Sequence, residues 1–146
     1  MKPRLLVSAC LLGARCKYSG GSNALAADAL RALREKWALV PVCPEVAGGL
    51  AVPREPSERR GDKVVSRGGK DVTAAFERGA AVACALCGRF GCRTALLKER
   101  SPSCGSGEIC DGSFSGALTA GDGLAAARLR SRGVAIVGES AVEELL

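Results

Sequence analysis

The 146-residue chain contains no histidine, and that absence excludes Ser-His-Asp and Cys-His catalysis together with every metal site that needs an imidazole. Proton transfer is left to a carboxylate, a lysine, a tyrosine or a thiolate. Aromatic residues are thin as well. Tyr18, Trp37, Phe76, Phe90 and Phe114 are all there are, too few for a ladder of rings stacking successive nucleotides along a groove. No run approaches the ~18 apolar residues of a membrane span. Leu5-Leu6-Val7, behind Met1-Lys2-Pro3-Arg4, is too short for the apolar core of a secretory leader. These absences lead us to expect a cytoplasmic protein with no membrane partner. Thiols stay reduced there, so its cysteines point to metal, cluster or catalysis before disulfides.

What is present is ordinary in bulk and unusual in detail. A content of 47% apolar and 25% charged residues suits one globular domain spanning residues 1–146. The net charge of +6 fits either a solvated basic surface or attraction of an anionic substrate such as a nucleotide. The unusual detail is eight cysteines.

Residues 4–8, Trp37 to Val42, Thr94 to Leu97 and Val134 to Val137 are short apolar runs bounded by loops, as buried strands are. Between them, helices are expected from Asn23 as cap to about Lys36, from Asp71 as cap to Cys87, and from Leu124 to Arg132. Lys63 to Ser66 reads as half of a hairpin, and Asp111-Gly112 as a turn between extended pieces at Ile109 and Phe114. Val46 to Arg60, with two prolines and two adjacent glycines, is expected to be largely loop. Ser140 is expected to cap a terminal helical turn. Strands alternating with helices in this way imply an α/β fold, a Rossmann-like three-layer sandwich around a mainly parallel sheet.

Three cysteines fall just beyond predicted strands: Cys10 after the first, Cys43 after the second, and Cys104 a short loop after the third. In an open parallel sheet the loops leaving the carboxyl ends of the strands converge on one crevice. Three thiolates without histidine suit a soft metal. Zinc would take Cys16 as a fourth ligand, and a [4Fe–4S] cluster normally takes four cysteines, or three with one iron left open. Small buried thiols packing a core are the remaining alternative. Cys84, Cys87 and Cys92 contain a C-x-x-C, but Cys84 and Cys87 lie on an expected helix and no second pair exists, so the group reads as packing. Cys110 at its turn carries no assigned role. Gly121-Asp122-Gly123, ahead of the last long helix, is a candidate anion site for a nucleotide phosphate.

The motifs resemble the thiouracil desulfurase family. The first block is Val7-Ser8-Ala9-Cys10-Leu11-Leu12-Gly13, with Cys16 and Tyr18-Ser19-Gly20-Gly21-Ser22 behind it. The second is Pro41-Val42-Cys43-Pro44-Glu45 with Gly48-Gly49-Leu50 and Pro53-Arg54. Gly69-Lys70-Asp71-Val72-Thr73, with Phe76 and Gly79, forms a third. The fourth is Leu97-Lys98-Glu99-Arg100-Ser101-Pro102-Ser103-Cys104-Gly105, followed by Asp111-Gly112-Ser113-Phe114. The likeness spans residues 5 to 140. It departs at Cys110, where the family pattern leads one to expect tyrosine, and at Ser19, where aspartate is more usual.

The resemblance implies a [4Fe–4S] cluster held by Cys10, Cys43 and Cys104 with one iron free, and a catalytic pair, Glu45 and Ser101. The implied reaction is non-redox: a thiolated pyrimidine (2-thiouracil, 4-thiouracil or a 4-thiouridine nucleotide) becomes its oxo form with release of hydrogen sulfide. Cys16 then becomes a neighbouring thiol rather than a ligand. Lys98, Glu99 and Arg100 border the same loop, either meeting a phosphate or forming a solvated charge run. One alternative is a tRNA thiouridine desulfurase. Longer relatives pair this domain with another, so a chain of this length is expected to favour free bases or nucleotides over nucleic acid. The other alternative is a cluster- or zinc-binding module without turnover.

Overall fold

The structure, a computed structural model, describes residues 1–146. Its centre is a four-stranded parallel sheet built from β1 (Arg4–Ser8), β2 (Ala38–Val42), β5 (Thr94–Leu97) and β8 (Ala135–Gly138) in the order β2-β1-β5-β8. β1 lies in register with β2 from Arg4 against Ala38 to Ser8 against Val42, and with β5 from Leu5 against Thr94. β1 and β5 coincide with the expected runs, because a short apolar segment between polar loops leaves little freedom in where a buried strand starts and stops.

Alternation along the strands divides the core. Leu6, Ala95 and Leu97 face α3 (Thr73–Phe90) and α4 (Leu124–Ser131). Leu5, Val7 and Leu96 face the opposite side with Leu33 of α1 (Ala27–Lys36) and Leu145 of the terminal 3-10 turns. Each of the fully buried leucines contributes about 1.5–3 kcal/mol of burial. The result is the three-layer α/β sandwich expected from the strand and helix alternation. α3 ends where Gly91 takes a left-handed conformation (φ 67°) that returns its N–H to the Cys87 carbonyl.

Several boundaries moved. α1 starts at Ala27 rather than at Asn23, because the backbone N–H groups of Asn23 and Leu25 donate to the carbonyls of Cys10 and Leu11. Those tertiary bonds hold the segment off the helix. The residue next to Thr73 at the head of α3 is Val72, and Asp71 acts from one position further out, its Oδ1 accepting the Thr73 N–H at 2.9 Å. Strand β2 begins at Ala38, after Trp37, whose Nε1 donates to the Leu145 carbonyl at 2.8 Å. The region from Val46 to Arg60 is loop except at its ends, where α2 (Pro44–Ala47) opens it and β3 (Ser57–Arg60) closes it. β3 pairs with β4 (Lys63–Ser66) as the expected hairpin. Ile109 lies in β6 (Glu108–Cys110), whose partner is β7 (Leu118–Ala120); Phe114 sits in the turn between them and not in an extended strand. At the C-terminus Gly138 rather than Ser140 precedes the first helical turn, and Ser140 donates to Glu99 instead.

Candidate active site

Because β1, β2 and β5 are neighbours pointing the same way, whatever follows them emerges along one edge of the sheet. Cys10 lies in the 3-10 turn after β1, Cys43 directly after β2, and Cys104 in the loop after β5. All three line one cavity of about 510 Å³, and Glu45, Ser101 and Cys16 line it too. The three expected cluster cysteines, the expected catalytic pair and Cys16 therefore reach the same space.

Two close backbone approaches fix this edge. A Cβ on Gly79 would stand 1.8 Å from the Pro44 carbonyl oxygen, and one on Gly48 1.9 Å from that of Ala75. Only glycine lets α2 lie so near α3, and α2 carries Glu45. On the other side, α4 docks its first turn on the cysteine loop. The N–H groups of Gly123, Leu124, Ala125 and Ala126 donate to the carbonyls of Gly105, Pro102 and Ser103. This corrects the anion site expected at Gly121-Asp122-Gly123. The helix N–H groups a phosphate would use are already bonded to protein carbonyls, and Asp122 accepts from the Gly107 N–H and from Arg130.

Glu45 is held at both oxygens. Arg54 Nε donates to Oε1 at 3.2 Å, with Nη2 3.1 Å from the same oxygen, and Ser103 Oγ donates to Oε2 at 2.9 Å. The Arg54 and Glu45 side chains are only 9% and 16% exposed, so this ion pair is far better shielded than a surface pair. Arg54 also donates to the carbonyls of Cys16 and Ala51, tying the first cysteine loop to the proline-rich one. Ser101 Oγ accepts the N–H of Cys104 at 2.7 Å and that of Ser103 at 3.3 Å, and lies 3.2 Å from Ser103 Oγ. A carboxylate only accepts, so Ser103 spends its one proton on Glu45 and Ser101 must donate to Ser103. The three form a directed chain, Ser101 to Ser103 to Glu45.

Arg54 and Ser103 stand in the family-like sequence blocks, but sequence alone assigns them no role. Their signal was their position in those blocks; nothing in a Pro-Arg or a Ser-Pro-Ser stretch shows which carboxylate it meets.

The thiols are all free. Burial pushes Cys104 up to about 12, against hydrogen bonds from Ser8 and Ser103 that pull it down. Cys10 is raised by burial too, partly offset by Asn23. Cys16 is pushed up to about 12 by burial and then by Cys43, whose Sγ lies 3.8 Å from the Cys16 carbonyl oxygen. Cys16 therefore borders the predicted trio. No three thiols or carboxylates stand close enough together to share a single metal ion. Of the charge run, Lys98 and Arg100 line the cavity, but the Lys98 ammonium pairs with Glu139 at 2.7 Å. Both carboxylate oxygens of Glu99 accept from Ser140.

Opposite the sheet edge, the β3–β4 hairpin and the β6–β7 turn close the cavity with Ser57, Glu58, Arg67, Cys110 and Phe114. Sequence patterning did not find this wall, and Cys110, given no role, belongs to it. By contrast Cys84, Cys87 and Cys92 lie in the α3 side of the core, away from the cavity, as packing thiols.

A family model described as 2-thiouracil desulfurase matches residues 5–141. The uncharacterized protein YbbK of Bacillus subtilis (strain 168) is 39% identical over 152 residues, which cover 97% of this chain and 99% of that protein. Among solved structures, a [4Fe-4S]-dependent thiouracil desulfidase, TudS, superposes with a TM-score of 0.93 at 49% identity, covering 99% of this chain and 95% of that one.

Proposed function

This chain belongs to the 2-thiouracil desulfurase family, and from that premise we propose that it converts a thiolated pyrimidine and water into the oxo pyrimidine and hydrogen sulfide, using a [4Fe–4S] cluster held by Cys10, Cys43 and Cys104. The observation that carries this reading is the convergence of three free thiols from three separate loops on one cavity, beside a carboxylate held at both oxygens. The donor set fits the group. Thiolates are the usual ligands of such clusters, and a cluster several ångströms across takes them from further apart than one ion does, in keeping with the absence of a single-ion site.

When bound, the cluster supplies an iron with no protein ligand, a soft Lewis acid for a thiocarbonyl sulfur. The remaining work belongs to the chain. Glu45 takes a proton from the water that attacks the thiocarbonyl carbon. With histidine absent, it is the cavity-lining carboxylate closest in sequence to the thiol trio, two residues after Cys43. Arg54 and Ser103 keep that carboxylate from turning away. Ser101 and Ser103 conduct a proton along their hydroxyls to or from Glu45. The carbon–sulfur bond breaks, a carbon–oxygen bond forms, sulfur leaves as sulfide and takes up protons, and no electron is transferred.

Lys17, Arg67 and Arg100 on the cavity wall favour a substrate with an anionic extension. That supports a nucleotide alongside the free base. A reducing cytoplasm belongs to the same reading, since eight unpaired thiols persist there. No helix is long and apolar enough to cross a membrane.

Anaerobic purification followed by iron and sulfide analysis tests the cofactor: about four of each per chain are expected, and stoichiometric zinc without labile sulfide would overturn it. Thiouracil, its nucleoside, its nucleotide and thiolated tRNA, each assayed for sulfide release, then identify the substrate.

A further inference from the structure

Two non-glycine residues adopt a left-handed backbone, Arg100 at φ 68° and Phe114 at φ 56°, and both line the cavity. For an aromatic residue this conformation is strained, at a cost of order 1–3 kcal/mol, and such strain gathers where ligands are held. Burial does not account for it. Phe76 is fully buried, Phe90 packs against the α3 side of the core and Trp37 against the opposite side, whereas Phe114 is only half-buried and packs against neither.

Phe114 is nevertheless fixed with some force. Glu58 Oε1 accepts the N–H of Gly112 at 2.9 Å and that of Phe114 at 3.0 Å. Arg60 Nε donates to the Gly112 carbonyl at 2.7 Å, bolting the turn to the hairpin. The guanidiniums of Arg60 and Arg67 lie 5.7 and 5.8 Å from the Phe114 ring centre. Of the two, Arg67 lines the cavity and pairs with no carboxylate. Only one other aromatic side chain reaches this space, Tyr18 at the exposed rim.

We infer that Phe114 is a specificity-determining residue: the aromatic wall against which the pyrimidine ring of the substrate packs, held in a strained turn by Glu58 for that purpose. This rests on the thiolated-pyrimidine reading above. A planar heteroaromatic ring gains from an aromatic face whatever its substituents, so Phe114 selects for the ring, while Glu45 and the thiols act on the sulfur-bearing carbon. Base–aromatic stacking lost to alanine corresponds to about tenfold or more in affinity.

In the cluster-loaded enzyme, Phe114→Ala should raise KM for the thiolated pyrimidine by about tenfold with kcat changed by less than about twofold. Phe114→Leu, which keeps apolar bulk without a π face, should behave like the alanine variant, and Phe114→Tyr should restore the wild-type KM. Phe114→Trp gives a reading independent of turnover. Its added fluorescence should be quenched by uracil or uridine monophosphate, whereas the wild-type signal, which comes from Trp37 on the far face, should stay unchanged. Wild-type KM in both the alanine and leucine variants, or no quenching in the tryptophan variant, would overturn the inference. If the wild type fails to release sulfide while the tryptophan variant is still quenched, the desulfurase reading falls and the ring-binding wall stands.

Discussion

Two groups of cysteines share this small protein and differ in almost everything but their sulfur. Cys84, Cys87 and Cys92 are clustered in sequence, buried among the alanines of α3 and α4, and bonded to little beyond the Cys87 thiol on the Cys92 carbonyl. Cys10, Cys43 and Cys104 are scattered along the chain, yet reach one cavity with Glu45, Ser101 and Ser103 around them. Burial raises the thiols of the first group, Cys87 to about 11, much as it raises Cys10 and Cys104. A raised thiol thus does not distinguish the two groups; the company of polar groups and of open space does. Recurrence at equivalent ends of parallel strands, and not local density of cysteine, is what brings thiols to the cavity.

The largest contrast should come from paired substitutions. Cys43→Ser should abolish bound iron, labile sulfide and sulfide-releasing activity together, while Cys84→Ala leaves all three at wild-type levels. Iron retention by Cys43→Ser, or iron loss by Cys84→Ala, would break the comparison. Next in size, Glu45→Gln should keep the iron content of the wild type and lower turnover by about two orders of magnitude or more, as loss of a general base does. Ser103→Ala removes one donor from the Glu45 carboxylate and interrupts the hydroxyl chain, so a fall of about tenfold in kcat is expected with the cluster in place. At the small end, Cys87→Ala should cost about 1 kcal/mol of stability in a denaturant titration, with unchanged kcat and KM.

The legible parts of the fold were those whose cause is local. β1 and β5 announce themselves because Leu5-Leu6-Val7 and Ala95-Leu96-Leu97 must be buried on both faces. Once the strands are placed, Cys10, Cys43 and Cys104 follow from the geometry of any parallel sheet. What stayed hidden depends on distant partners. Asn23 has the chemistry of a helix cap, but its N–H is drawn to Cys10 across the first loop and the helix starts later. Arg54 lies in a proline-rich stretch without periodicity, and only the folded chain brings it to Glu45. The β3–β4 wall and Phe114 depend on Glu58 crossing to a turn more than fifty residues away. Ser101 is intermediate: its sequence position marks it, while the structure shows its oxygen accepting the Cys104 N–H and lying 3.2 Å from the Ser103 hydroxyl.

The docking of α4 on the cysteine loop has a consequence for motion. Because the first N–H groups of that helix are bonded to the carbonyls of Pro102, Ser103 and Gly105, the loop cannot lift without unravelling a helical turn whose Ala125, Ala126 and Leu129 are packed in the main core. Opening of the loop that carries Cys104 is therefore joined to opening of the core itself. Amide protons from Gly123 to Ala126 should exchange with solvent as slowly as those of β1 and β5, making the mouth of a helix one of the quietest places in the molecule.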